Sequence, residues 1–494
     1  MSFNWSDAAF FWPEAIMALT FVACLLTDLL TRERRHGATL SVLILGAVVA
    51  LAVAVANPPR GAHDIMGTMM VVDPYAQFFR VLFLAVTLIV AVFSFSSREI
   101  MGADRENKGE YYAYLAVLCF GMMVMAEANN LVMLVLSIEL VSITSYILAG
   151  YARMSLRSSE ASLKYVLWGA VSSGLMLYGA SILYGLSGAM SFTGLHDRLV
   201  FGGNELATLT ACVLILAGIG YKISAVPFHF WTPDVYEGAP TPVAAIFAAG
   251  PKAAGFALLI RFFYTALVQS DGAGTMAALS SIQWPWLLAF LSVITMTWGN
   301  LAAIRQRNVK RLLAYSSIAH VGYLLIGFVL LSEAGLSAIL FYLIAYAIMN
   351  LGAFLVVIAL NNRLGSEDID EYRGIGFREP LLAVIMVVFL LSLAGIPPTF
   401  GFIAKFYLFA AAIDGQMGWL AFIAVLNSVI SLYYYMRIAK AMFFEHSEDE
   451  GGLGLSPVHM VLLVVLAVPT LVLGLYWSPV KAFADASMHW LLGG

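Results

Sequence analysis

Four of the chain's eight lysines fall inside strongly apolar stretches: Lys164, Lys222, Lys252 and Lys405. Of its eighteen arginines, only Arg80 and Arg261 do so. The asymmetry has a chemical meaning. A guanidinium keeps its proton in a protein, whereas a desolvated ammonium can release one. A group that loads and unloads a proton must therefore be lysine, histidine or a carboxylate. An ion at the centre of a membrane helix costs about 2.5–3.5 kcal/mol on insertion scales. Four such lysines on four helices are hard to explain by packing alone.

Other titratable residues accompany them. Glu139 lies in the middle of NNLVMLVLSIELVSITSYIL. A carboxylate there needs a cation, and Lys222 is the natural candidate; the alternative is a hydrogen-bonded structural carboxylate. Lys164 sits about two turns into its helix in EASLKYVLWGAVSSG, on a proton path or snorkelling to the interface. Lys222 opens KISAVPFHFWTPDVYEGAPTP, where Pro227 must break or end the helix. In a membrane, a broken helix persists only where its freed backbone groups face protein or a water-filled cavity. A lysine at such a break is a functional candidate. Lys252 follows Pro251 in AAGPKAAGFALL, and Lys405 follows Pro397 and Pro398 in LAGIPPTFGFIAKFYLF. His320 has Ser316, Ser317 and Tyr323 nearby and suits a proton relay better than a core histidine. His229 is either a proton shuttle or an interfacial ring. Asp234 and Glu237 either collect protons at an entry mouth or are merely solvated loop acids.

These residues must be positioned by membrane helices. The 494 residues are 61% hydrophobic and 11% charged, against about 25% charged in a soluble domain. The expected class is an all-α polytopic membrane protein. A span needs about 20 apolar residues. About fourteen spans are predicted, at 8–30, 39–56, 75–96, 110–126, 129–150, 158–187, 204–223, 241–269, 281–300, 309–331, 335–360, 380–411, 417–444 and 457–477. The seventh is interrupted around Pro227 and the twelfth around Pro397 and Pro398. Residues 361–379 form a polar loop, and 478–494 a short interfacial tail. No linker marks a soluble domain, so 1–494 is expected to be a single membrane domain.

Seventeen Lys/Arg residues lie in the odd-numbered loops, whereas the even-numbered loops hold Arg60 and Arg198. Positive charge marks the cytoplasmic side, so both termini are expected on the opposite side. The N-terminus, with Asp7 and Glu14 and no basic region, does not resemble a cleaved signal. Cys24, Cys119 and Cys212 have no metal or cluster spacing. There is no dinucleotide fingerprint, haem pair or P-loop. No basic cluster is interleaved with aromatics, which excludes nucleic acid as a partner and leaves membrane lipid. Metal and cofactor sites are expected to be absent from the chain.

The stretches ANNLVMLVLSIELVSITSYILAGY, EASLKYVLWGAVSSGLMLYG, GYKISAVPFHFWTPDVYEGAPTPVAA, AGPKAAG, RLLAYSSIAHVGYLLIG and LLSLAGIPPTFGFIAKFYLF resemble the antiporter-like membrane subunits of respiratory complex I, most closely the N type. The resemblance implies two inverted five-helix repeats. The first holds helices 4–8 at 110–269, and the second holds helices 9–13 at 281–444. Residues 1–96 would form helices 1–3, and 457–494 helix 14 and the tail. Helices 7 and 12 would be discontinuous. It further implies proton translocation through Glu139, Lys164, Lys222, Lys252 and Lys405. Lysine at position 405 favours the N type over the M type, which has glutamate there. NADH, FMN, iron–sulfur clusters and a quinone would be used by other subunits. Expected partners are subunits M and L and the small subunits K, J, A and H, in a bacterial inner membrane. Two other readings remain: a subunit of a multi-subunit Na⁺/H⁺ antiporter, and a membrane scaffold without transport.

Overall fold

Hydrocarbon offers no hydrogen bonds, so a chain crossing it must satisfy its backbone internally, and the apolar runs become helices. The computed structural model describes residues 9–31, 36–101, 109–200, 204–270, 276–279, 284–446, 451, 454 and 457–491. The main helices are α1 Trp12–Leu30, α2 His36–Ala56, α3 Pro74–Ser94, α4 Glu110–Glu127, α5 Leu131–Ala149 and α6 Leu156–Ser187. They continue with α7 Glu205–Ile223, α8 Trp231–Gly238, α9 Thr241–Leu267, α10 Trp284–Ala303, α11 Val309–Val329 and α12 Glu333–Leu364. The last are α13 Pro380–Ala394, α14 Phe400–Asp414, α15 Gly418–Phe444, α16 Pro457–Leu475 and α17 Ser478–Leu491. Many starts are set by polar caps. Asp73, Asn130, Asn204, Asn308 and Ser332 each accept a hydrogen bond from a first-turn N–H.

Among the described residues, eleven helices are long and apolar enough to cross a membrane, or up to twelve if one bent pair forms a single span. That count is lower than the expected fourteen for three local reasons. Helix α4 lies outside it. The predicted span at 380–411 is two 15-residue helices, α13 and α14, separated by a break. The span at 457–477 turns by 83° into α17, so the expected tail is a helix packed on the bundle. Two antiparallel hairpins sit in loops: His63–Ile65 with Met70–Val72, and Val268–Ser270 with Met276–Ala278.

Three helices form the centre of the bundle. Helix α9 packs against α3, α4, α5, α7 and α12; helix α12 packs in turn against α11 and α14. Their apolar windows are 100% (α9), 94% (α11) and 89% (α12) buried, whereas those of α1 and α2 are 28% buried. The exposed leucines and valines of α1 and α2, such as Leu19, Leu45 and Val55, suit a lipid face. Lys252 and His320 therefore stand on the innermost helices. Of the charges used to orient the chain, Arg32, Arg34, Arg35, Arg105 and Lys108 lie outside the described residues, as does Asp7.

Candidate proton-transfer site

The two expected breaks are built alike. Helix α7 ends at Ile223; Ser224 turns left-handed at φ 66°, and the Ala225 N–H donates back to the Gly220 carbonyl at 2.8 Å. Helix α13 ends at Ala394; Gly395 turns at φ 84°, and the Ile396 N–H donates to the Leu391 carbonyl at 3.0 Å. Both are Schellman endings, with prolines preventing continuation. Protein satisfies the groups freed at the first break. The Val226 N–H donates to Thr295 Oγ1 at 3.1 Å, and Trp231 Nε1 donates to the Tyr221 carbonyl at 3.0 Å.

Lys222 is fully buried in the last turn of α7. Its Nζ donates to Ser142 Oγ at 3.1 Å and lies 6.0 Å from the Tyr165 ring centroid. The expected direct Glu139–Lys222 ion pair is not formed. Ser142, about one turn along α5 from Glu139, takes the ammonium instead. Glu139 still acts on Lys222 through space, and its Oε1 is buried with no hydrogen-bond partner among the described residues.

Lys252, buried beside Pro251 in α9, donates to Ser317 Oγ, with the Tyr236 ring centroid 5.4 Å away. On α11, His320 Nδ1 hydrogen-bonds Tyr342 Oη at 2.6 Å, and Nε2 meets Tyr435 Oη at 3.3 Å. Tyr435 also bonds Ser316. Both Lys252 and Lys405 act electrostatically on His320. Lys405 is buried in α14, where its Nζ donates to the Ala394 carbonyl at 2.9 Å and Ser428 Oγ at 3.1 Å. It also lies 4.7 Å from the Tyr323 ring centroid. It borders an apolar groove of about 520 Å³ with Phe402 and Phe406. The two break lysines thus differ in placement: Lys222 precedes its break, and Lys405 follows its own and caps the helix before it.

Lys164 is 39% exposed and pairs with Asp234 and Glu160, both at 2.7 Å. Asp234 and Glu237 are bound by Arg311 Nη1 at 2.6 and 2.8 Å. Lys164, Asp234 and Glu237 therefore form one cluster at the edge of the bundle, apart from the buried line. His229 is buried, stacks near Phe230 at 4.5 Å, and has an Nδ1 without a hydrogen-bond partner among the described residues.

Three buried ionic groups were given no partners in the sequence reading. Lys310 is 2% exposed and pairs with Glu367 at 2.7 Å and Glu99 at 3.6 Å. Arg80 Nε bonds Glu14 Oε1 at 2.7 Å and Glu127 Oε1 at 2.8 Å. Arg261 holds Asp73 in a bidentate pair at 2.8 and 2.9 Å. Arg80 and Arg261 had a visible signal, being arginines in apolar runs. Lys310 had none, because it stands next to a loop rich in arginine.

The chain's relatives share this arrangement of helices. Residues 128–431 match a family model described as NADH:quinone oxidoreductase/Mrp antiporter, TM. Over 493 residues the chain is 43% identical to NADH-quinone oxidoreductase subunit N 2 of Chloroherpeton thalassium, covering 98% of this chain and 95% of that protein. A chain of respiratory complex I from Thermus thermophilus with bound aureothin superposes with TM-score 0.79 and 30% identity, covering 96% of this chain and 99% of that one. A chain of the Mrp complex from Dietzia has TM-score 0.82 but 22% identity over 98% of this chain and 100% of that one, a likeness of fold.

Proposed function

Because the chain belongs to the NADH:quinone oxidoreductase/Mrp antiporter membrane family, we propose that it is the N-type antiporter-like subunit of respiratory complex I, translocating protons across the membrane. Electron transfer from NADH to quinone in the other subunits would drive it. The likeness to curated N-type subunits, 43% identical across 98% of the chain, favours this over the Na⁺/H⁺ antiporter reading. One observation carries the mechanism: Lys222, Lys252 and Lys405 are buried together with His320, on hydroxyl partners and without a carboxylate ion pair among the described residues. A cation held only by hydroxyls, carbonyls and rings can give up its proton without leaving an unpaired buried anion.

Glu139 sets the charge beside Lys222 and acts on it through space, while Ser142 takes the ammonium. Lys222, Lys252, His320 and Lys405 pass the proton along the bundle, with Tyr435, Tyr342 and the serines as bridges. Lys164, Asp234 and Glu237 form a charged edge that exchanges with water, and His229 stands beside the first break. About fourteen spans follow if α4 and each interrupted or bent pair count as one. The matching Schellman endings at Ser224 and Gly395 support two repeats, 110–269 and 281–444, with 1–96 and 457–494 outside them. The Lys/Arg-rich loops support an orientation with both termini outside the cytoplasm, in a bacterial inner membrane. Subunits M, L, K, J, A and H would be its partners, and NADH, FMN, iron–sulfur clusters and a quinone would be used by other subunits of the complex.

Purification of the complex tests the assignment, with NADH-oxidising and iron–sulfur subunits expected to accompany the chain. Lys222→Arg in that complex tests the mechanism. It keeps the charge but not the exchangeable proton, so assembly should survive and proton pumping should fall. Full pumping by Lys222→Arg would remove Lys222 from the path.

A further inference from the structure

A polar cavity of about 500 Å³ lies away from the lysine line. Its walls come from the third, fifth, seventh, ninth and eleventh loops and the adjoining helix ends: Glu99, Arg157, Glu237, Lys310, Glu367 and Asp368 border it. All of these loops lie on the Lys/Arg-rich side. At its floor Lys310 is almost fully buried, with Glu367 at 2.7 Å and Glu99 at 3.6 Å, and donates to the Ala239 carbonyl at 2.9 Å. The two glutamates are anchored independently. Glu99 accepts the Thr241 N–H at 2.7 Å at the start of α9, and Glu367 accepts from Asn308 and Asn361, both at 3.2 Å. Lys310 is thus seated between two independently anchored carboxylates, and the charged residues lining the cavity sum to a formal −2.

Below the floor, the same helix leads to the buried line. Ser317, the partner of Lys252, is seven positions beyond Lys310 on α11, about two turns deeper on the same face. The hydroxyls of Tyr236 and Tyr346 are buried and face Ser317, the partner of Lys252. Tyr236 is about one turn before Ala239, the residue whose carbonyl holds Lys310.

We propose that this cavity is a proton-loading mouth, in which Lys310, seated between Glu99 and Glu367, hands protons inward past Tyr236 and Ser317 to Lys252. The proposal rests on the function assigned above and adds an entrance that the sequence had placed only at Asp234 and Glu237. The proton arrives from water on the anionic rim and protonates Lys310 as its previous proton leaves toward Ser317. No bond other than O–H and N–H is made or broken.

The test uses the assembled complex in inside-out vesicles, with proton uptake and NADH oxidation followed together. Lys310→Arg preserves both ion pairs but cannot release a proton, so it should assemble and lose most of its pumping. Lys222→Arg is run beside it. Loss in Lys222→Arg with full pumping in Lys310→Arg overturns the mouth and leaves the subunit's function standing; full pumping in both overturns the mouth and removes Lys222 from the path as well. A second arm is independent of Lys310. Ser366→Cys lines the cavity, and the native cysteines Cys24, Cys119 and Cys212 are buried. A charged, membrane-impermeant thiol reagent should label it from the cytoplasmic face and slow pumping relative to the same vesicles before labelling. No labelling from that face, or labelling without slowing, overturns the proposal.

Discussion

Ser224 and Gly395 hold the same left-handed position at the helix end before each break, at φ 66° and 84°. For a residue with a side chain this conformation costs roughly 1–2 kcal/mol. An added Cβ at Gly395 would also lie 2.7 Å from Lys405 Cδ. Gly395→Ala should therefore lower the thermal midpoint of the solubilised complex and disturb Lys405. Ser224→Gly, which also removes a buried hydroxyl lacking a partner, should raise stability or leave it level. The reverse order of midpoints would show that the two turns are not equivalent.

Tyr435 connects Ser316 to His320. Tyr435→Phe removes both contacts while filling the same volume, leaving buried polar groups unmet at a cost of about 1–3 kcal/mol. We expect a modest fall in melting temperature and a larger fall in proton-pumping rate. A change in melting alone would assign Tyr435 to the scaffold.

The Glu14–Arg80–Glu127 group ties α1, α3 and α4 together. Removing one partner of a buried pair costs about 3–5 kcal/mol because the other charge is stranded. Arg80→Met strands two carboxylates and should abolish assembly, whereas Glu14→Gln still leaves Arg80 paired with Glu127 and should assemble. Native gels of membranes from the two variants would separate these outcomes.

Lys164 offers a different contrast. Its ion pairs are 39% exposed at the lysine, and such pairs are worth about 0.2–1 kcal/mol. Lys164→Ala should leave complex yield unchanged. Slower pumping at normal yield would place Lys164 on the proton route; normal pumping would make it a surface charge.

Backbone punctuation was the most legible part of the chain. Pro227 and the Pro397–Pro398 pair announced both breaks, because proline cannot donate to the helix ladder, although Pro251 sits inside α9 without ending it. The buried lysines were legible for a similar reason: an ammonium within twenty apolar residues has nowhere to hide. Partners were not legible. Glu139 and Ser142 share one helix, and only the packing of α7 against its neighbours decides which of them meets Lys222. Lys310 looked like one more loop charge because its burial depends on Glu99 and Glu367, far away in the sequence. Lys164 was open between a proton path and the interface because a helix sequence does not reveal how wide its lipid-facing edge will be.

Helix α9 has no lipid-facing side, its apolar window being 100% buried, and close packing in such an interior resists rotation or sliding. It is a fixed axle. On the proposed path, traffic past Lys252 would rely on turning hydroxyls and shifting lysine tips, events confined to a few ångströms, with the surrounding frame at rest. A drive of that kind wears no large hinge and can be reset as quickly as side chains reorient.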